Sequence, residues 1–133
     1  MYLFLLGIYG KYLLLPNLEE LKIKDYGFLG DVWRLNDEEV INQLKLLLID
    51  RTNLKRWEAS SVNFPKLQRL VVKRCRSLEE IHKDIGEICT LESIELNNCS
   101  ISAEKSLKEI QEEQESMGND CLSVLINNDH WSS

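Results

Sequence analysis

The stretch KLQRLVVKRCRSLEEI, Lys66–Ile81, sets Leu67, Leu70 and Val72 at the spacing Leu-x-x-Leu-x-Leu and follows them with Cys75, Leu78 and Ile81. Leu70 and Val72 alternate with Arg69, Val71 and Lys73, the period-two pattern of a strand with one buried face. The spacing recurs at Leu18, Leu21 and Ile23, at Leu44, Leu47 and Ile49, and at Leu91, Ile94 and Leu96. First positions lie 26, 23 and 24 residues apart. Pro16-Asn17-Leu18 and Phe64-Pro65-Lys66-Leu67 mark a turn before two of these segments.

A self-similar segment of about 20–29 residues with this spacing is the signature of a leucine-rich repeat. The position three residues beyond each third aliphatic holds Tyr26, Thr52, Cys75 and Cys99. There a Thr or Cys side chain can turn inward and satisfy turn backbone that would otherwise be buried unpaired. Leu54 with Trp57, and Leu78 with Ile81, carry the pattern past the strand in two repeats. One repeat cannot bury enough apolar surface to offset the ordering of its backbone, at about 1–2 kcal/mol per residue. Stability must come from stacking. The expected fold is an α/β leucine-rich-repeat solenoid with short parallel strands on its concave face and a C-terminal helix-strand cap. Its expected core is the twelve repeat aliphatics named above.

The domain reading takes residues 1–15 as the remnant of a preceding repeat, 16–101 as about four repeats, 102–126 as the cap helix and strand, and 127–133 as a loose tail. Met1–Leu15 lacks the basic start and small-residue cleavage site of a signal peptide, and Lys11 interrupts an apolar run too short to span a bilayer. Gly27–Glu39 reads as an insertion looping from one edge, with Phe28, Leu29, Val32 and Trp33 packed beneath it. In the cap, Ser102 is the expected N-cap, with Glu104 in the first turn and Lys108 four residues on. Ala103, Leu107, Ile110, Gln114 and Met117 share one face, and Gly118-Asn119 ends the helix. Cys121–Ile126 comes next as a strand with Leu122, Val124 and Ile126 on one side.

The 133 residues carry a net charge of −6. Between Arg51 and Lys83, nine Lys or Arg face three Glu, a local balance of +6, so the remainder carries −12. No stacking aromatics are interleaved with this basic waist, which argues against nucleic acid as a partner. The equivalent positions of Cys75 and Cys99 fit two buried, reduced thiols in a cytoplasmic protein. Phosphate-binding glycine loops, H-E-x-x-H and G-x-S-x-G are absent from the sequence. His82 reads as solvated, and the spacing of Cys75, His82, Cys89 and Cys99 matches no zinc motif. These residues imply no catalytic, cofactor or metal site, and no integral membrane span.

A binding surface is expected from strand alternation, which turns three columns away from the core: Glu20, Leu46, Arg69, Ser93; Lys22, Leu48, Val71, Glu95; Lys24, Asp50, Lys73, Asn97. Leu46, Leu48 and Val71 form an expected apolar spot there, rimmed by Arg69, Lys73, Arg74 and Asp50. Such a patch marks a protein contact, or a face that another part of the same parent protein covers.

FPKLQRLVVKRCRSLEEIHKDIGEI (Phe64–Ile88), TLESIELNNC (Thr90–Cys99) and SLKEIQEEQESMGNDCLSVLI (Ser106–Ile126) closely resemble the C-terminal end of nightshade-family plant disease-resistance proteins. These are coiled-coil, nucleotide-binding, leucine-rich-repeat (NB-LRR) receptors of the late blight resistance type. LPNLEELKIKDYGFLGDVW (Leu15–Trp33) and LKRWEASS (Leu54–Ser61) fit the same family. The chain departs from the pattern at His82, where the family often has Pro, and shows neither the coiled-coil nor the ATPase domain. The resemblance implies a partner-recognising role, toward a pathogen effector, a guarded host protein or the receptor's own nucleotide-binding domain. Holding that domain inactive is the other implied task. A substrate-recognition repeat domain of a ubiquitin-ligase adaptor is the alternative, and a small cysteine-dependent enzyme a distant third.

Overall fold

In the computed structural model, residues 2–4, 17–24 and 31–128 are described, the first three as backbone alone. The strands are β1 (Tyr2–Phe4), β2 (Glu20–Lys24), β3 (Val32–Arg34), β4 (Leu46–Asp50), β5 (Arg56–Glu58), β6 (Arg69–Lys73), β7 (Ser93–Asn97) and β8 (Ser123–Asn127). Among the described residues one α-helix, α1, spans Ile101–Ser116, and 3-10 turns occupy Ser61–Asn63 and Lys83–Glu87.

Each aliphatic triplet ends in a strand of the larger sheet, whose order is β1-β2-β4-β6-β7-β8. All its neighbours are parallel. Register matches the sequence repeat: Leu21, Leu47, Leu70 and Ile94 form one rung, and Ile23, Ile49, Val72 and Leu96 another. All twelve expected core aliphatics are buried. At roughly 1.5–3 kcal/mol for each buried side chain, these rungs are the main source of cohesion. β1 pairs in parallel with β2, aligning Leu3 with Leu21.

Where β4, β6 and β7 end, Arg51, Arg74 and Asn98 take left-handed φ values of 55°, 51° and 53°. This reversal turns the chain out of the sheet. The amides of Arg51, Arg74 and Asn98 donate to the carbonyls of Lys73, Asn97 and Asn127 at 2.7–2.8 Å, so each corner is bolted to the next strand. The inward slot comes immediately after. Cys75 Sγ lies 3.2 Å from Thr52 Oγ1 and donates to Lys73 O, while Cys99 Sγ donates to Val72 O and Asn97 O. Thr52, Cys75 and Cys99 are buried, whereas Tyr26 lies outside the described residues.

The region read as a looping insertion contains a strand. β3 pairs in parallel with β5, aligning Trp33 with Trp57, and a 2.7 Å ion pair joins Arg34 to Glu58. The two indoles stack 5.7 Å apart, and Phe64 meets Trp33 edge-on at 6.3 Å. The gain from these aromatic contacts, about 0.5–1.5 kcal/mol per pair beyond burial, explains why Trp33 is core. Val32 is exposed, and Phe28 and Leu29 lie outside the described residues. Asn63 pins the segment between β3 and β4: its buried amide donates to Asn36 O and Glu39 O, both at 2.8 Å.

At the far end, the N-cap is Ser100 and not Ser102. Ser100 Oγ accepts from Ala103 N and donates to Leu78 O, while Ser102 Oγ donates to Glu79 O. Ala103, Leu107, Ile110 and Gln114 are buried, but Met117 is exposed because helical geometry ends at Ser116 and turns the side chain off the stripe. Gly118, with φ +85°, closes the helix as expected. β8 starts at Ser123 and includes Asn127. Pairing with β7 makes this strand part of the large sheet.

Candidate functional site

Registered strands set the side chains facing away from the core in three rows. The first runs Glu20, Leu46, Arg69, Ser93, Ser123; the second Lys22, Leu48, Val71, Glu95, Leu125; the third Lys24, Asp50, Lys73, Asn97, Asn127. The three columns expected from strand alternation are therefore brought together. Leu46 and Leu48 are half-buried and Arg69 is exposed.

Two features of the expected patch change. Val71 is buried, 6% exposed, and does not present itself to solvent. Its short side chain sits between Leu48 and Glu95 in register, with Arg69 and Lys73 on the same face of its own strand, and these longer groups shade it. Arg74 is not a loose rim cation either. Its Nε and Nη2 donate to the two Asp50 oxygens at 3.0 and 2.8 Å, a bidentate pair that holds both side chains. Among the described residues Arg69 and Lys73 enter no ion pair, so their charges remain available to the surface. The apolar contribution of the face is thus Leu46, Leu48 and, across Glu95, the exposed Leu125. Leu125 was missed because α1 stretches the interval before β8, so the repeat period does not predict its register; the alternation of Leu122, Val124 and Ile126 was the available signal.

The other groups with chemical potential are quiet. Burial pushes the Cys99 thiol up to about 11, and burial likewise raises Cys75, partly countered by its hydrogen bond with Thr52. Both are poor nucleophiles at neutral pH. Cys89 and Cys121 are exposed, and all four thiols are free. His82 is exposed and its Nδ1 accepts from Asp84 N, capping the second 3-10 turn. Among the described residues no three His, Cys, Asp or Glu side chains gather as a metal-holding group, and no helix is long and apolar enough to cross a membrane.

No protein-family model matches the chain. The late blight resistance protein homolog R1B-23 of Solanum demissum is 38% identical over 102 residues, covering 75% of this chain and 8% of that protein. Homolog R1B-16 is 37% identical over 101 residues, with the same coverages, and R1B-12 is 34% identical over 115 residues, 84% of this chain and 8% of that protein. The chain spans 8–13% of the length of the relatives it matches. With these identities extending over three quarters or more of its residues, the chain belongs to the late blight resistance protein family of nightshades.

Proposed function

We propose that the chain is a protein-interaction module of an intracellular plant immune receptor, folded as a leucine-rich-repeat solenoid with no enzymatic activity of its own. It acts in the cytoplasm. The observation that carries this reading is the open face of the parallel sheet, where half-buried Leu46 and Leu48 adjoin Arg69 and Lys73, which enter no ion pair among the described residues. Apolar surface in the middle of such a face supplies affinity, and a basic border orients an acidic partner. The partner is a pathogen effector, a guarded host protein or the receptor's own nucleotide-binding domain. Contact with that domain would hold the receptor inactive.

The test is the double substitution Arg69→Glu with Lys73→Glu. In the full receptor it should release autoinhibition, read as effector-independent cell death in leaves, or abolish effector-dependent activation. The isolated chain should keep its melting temperature, because surface substitutions change stability by about 0.5 kcal/mol or less. Wild-type autoinhibition and activation, with the fold intact, would reduce the face to solvated surface.

A further inference from the structure

Where β4 and β6 turn out of the sheet, Arg51, Arg74 and Arg76 line a single cavity of about 380 Å³ together with Thr52, Asn53 and Ser77. The geometry points to an anion-recognition site here, taking a phosphate or carboxylate group carried on a protein partner. Arg51 and Arg74 are the left-handed corner residues of successive repeats, 23 positions apart, and their amides are locked to Lys73 O and Asn97 O. Adjacent strands are about 4.8 Å apart, so two cationic side chains start from neighbouring rungs of one rigid frame. Arg76 adds a third from the same turn. Among the described residues it enters no ion pair.

The Arg74 side chain is held in place before any ligand arrives. Asp50, with its side chain only 13% exposed, grips Arg74 through both carboxylate oxygens and fixes its fork. Three arginines and no acidic residue line the cavity, and Asp50, which balances the charge of Arg74, is not in the lining. Planar guanidinium forks match the paired oxygens of phosphate and carboxylate, which a lysine cluster would not do. The Thr52 hydroxyl is already committed to Cys75 Sγ and Leu54 N, leaving Asn53 and Ser77 as the neutral polar groups of the lining. Nucleic acid is disfavoured, because no aromatic side chain lines the cavity and the chain outside its basic waist carries −12. A polypeptide partner fits because Lys73 of the open sheet face directly precedes Arg74. The inference rests on the protein-contact reading for its partner class, yet anion binding is measurable without that partner.

Three blocked pentapeptides serve as probes: Gly-Gly-phosphoserine-Gly-Gly and its counterparts with Glu or Ser at the centre. They are titrated into the 15N-labelled 133-residue chain, with amide shifts tracked by NMR. The phosphopeptide should give saturable shifts at residues 51–53 and 74–77, the Ser peptide none, and affinity should fall as salt rises from about 50 to about 200 mM. Arg51→Ala with Arg76→Ala should weaken binding by about tenfold or more, and Arg76→Lys less, because charge survives but the fork does not. A Glu peptide binding as tightly as the phosphopeptide would assign the site to carboxylates; a much weaker one assigns it to phosphate. Absence of saturable binding by either anionic peptide, or wild-type affinity in the folded double variant, overturns the proposal. Arg69→Glu with Lys73→Glu should leave residues 74–77 responsive, which separates failure of this site from failure of the sheet-face reading.

Discussion

Cys99 stands just past β7 with its thiol directed at two carbonyls, Val72 O and Asn97 O, 3.5 Å from each. Burial raises its folded pKa from 9.0 to about 11, so the folded state keeps a proton that the unfolded chain gives up. The stability linked to this thiol is therefore complete below about pH 9 and is lost progressively as pH climbs toward about 11. Urea unfolding at about pH 8 and about pH 10.5 should show a larger loss for the wild type than for Cys99→Ala, since the alanine variant lacks the titrating group. Equal losses would remove Cys99 from the linkage. The slot itself was legible, because register alone assigns Thr52, Cys75 and Cys99 to it. The Asp50–Arg74 fork was not. It joins the last residue of β4 to the corner after β6 through side-chain directions that a linear pattern does not contain.

At the scale of the element, α1 carries two near-equal local signals for its start, and both are tied to the preceding repeat. Ser100 and Ser102 are both competent caps by residue type, and both hydroxyls donate to the preceding repeat, at Leu78 O and Glu79 O, but only Ser100 Oγ also accepts a first-turn amide, from Ala103 N. The apolar stripe was readable from Ala103 to Gln114, but its continuation to Met117 assumed a turn of helix that the chain does not make. On the opposite side of the contact, Gly86 lets the helix approach: a Cβ there would lie 2.6 Å from Ile110 Cγ2. Gly86→Ala should cost about 1–3 kcal/mol by overpacking, read as a lower urea midpoint. Combining it with Ile110→Ala, which removes the clashing methyl, should cost less than the two single changes together. Simple additivity would show that α1 already has room to shift.

Across the whole molecule, every rung of the large sheet from β2 to β8 joins residues more than twenty positions apart, and no strand can bury its aliphatics without a neighbour. The rungs were legible because Leu-x-x-Leu-x-Leu fixes which face each residue takes. The β3–β5 sheet was not, since three-residue strands carry too little periodicity and their pairing depends on Trp33 and Trp57 meeting in space. Leu70 lies in the rung between Leu47 and Ile94 and is fully buried. Truncating such a leucine to Ala costs about 2–5 kcal/mol, and Leu70→Asp adds the desolvation of an unpaired carboxylate. Because β6 is flanked by β4 and β7, its loss strips one side from each and leaves two short stacks with open edges. Amide hydrogen exchange should then show protection vanishing together in β4, next to the lesion, and in β8, two strands away. Protection retained in β2 and β4 while β7 and β8 exchange freely would mean that the two halves fold apart, and that cohesion is local to pairs of strands.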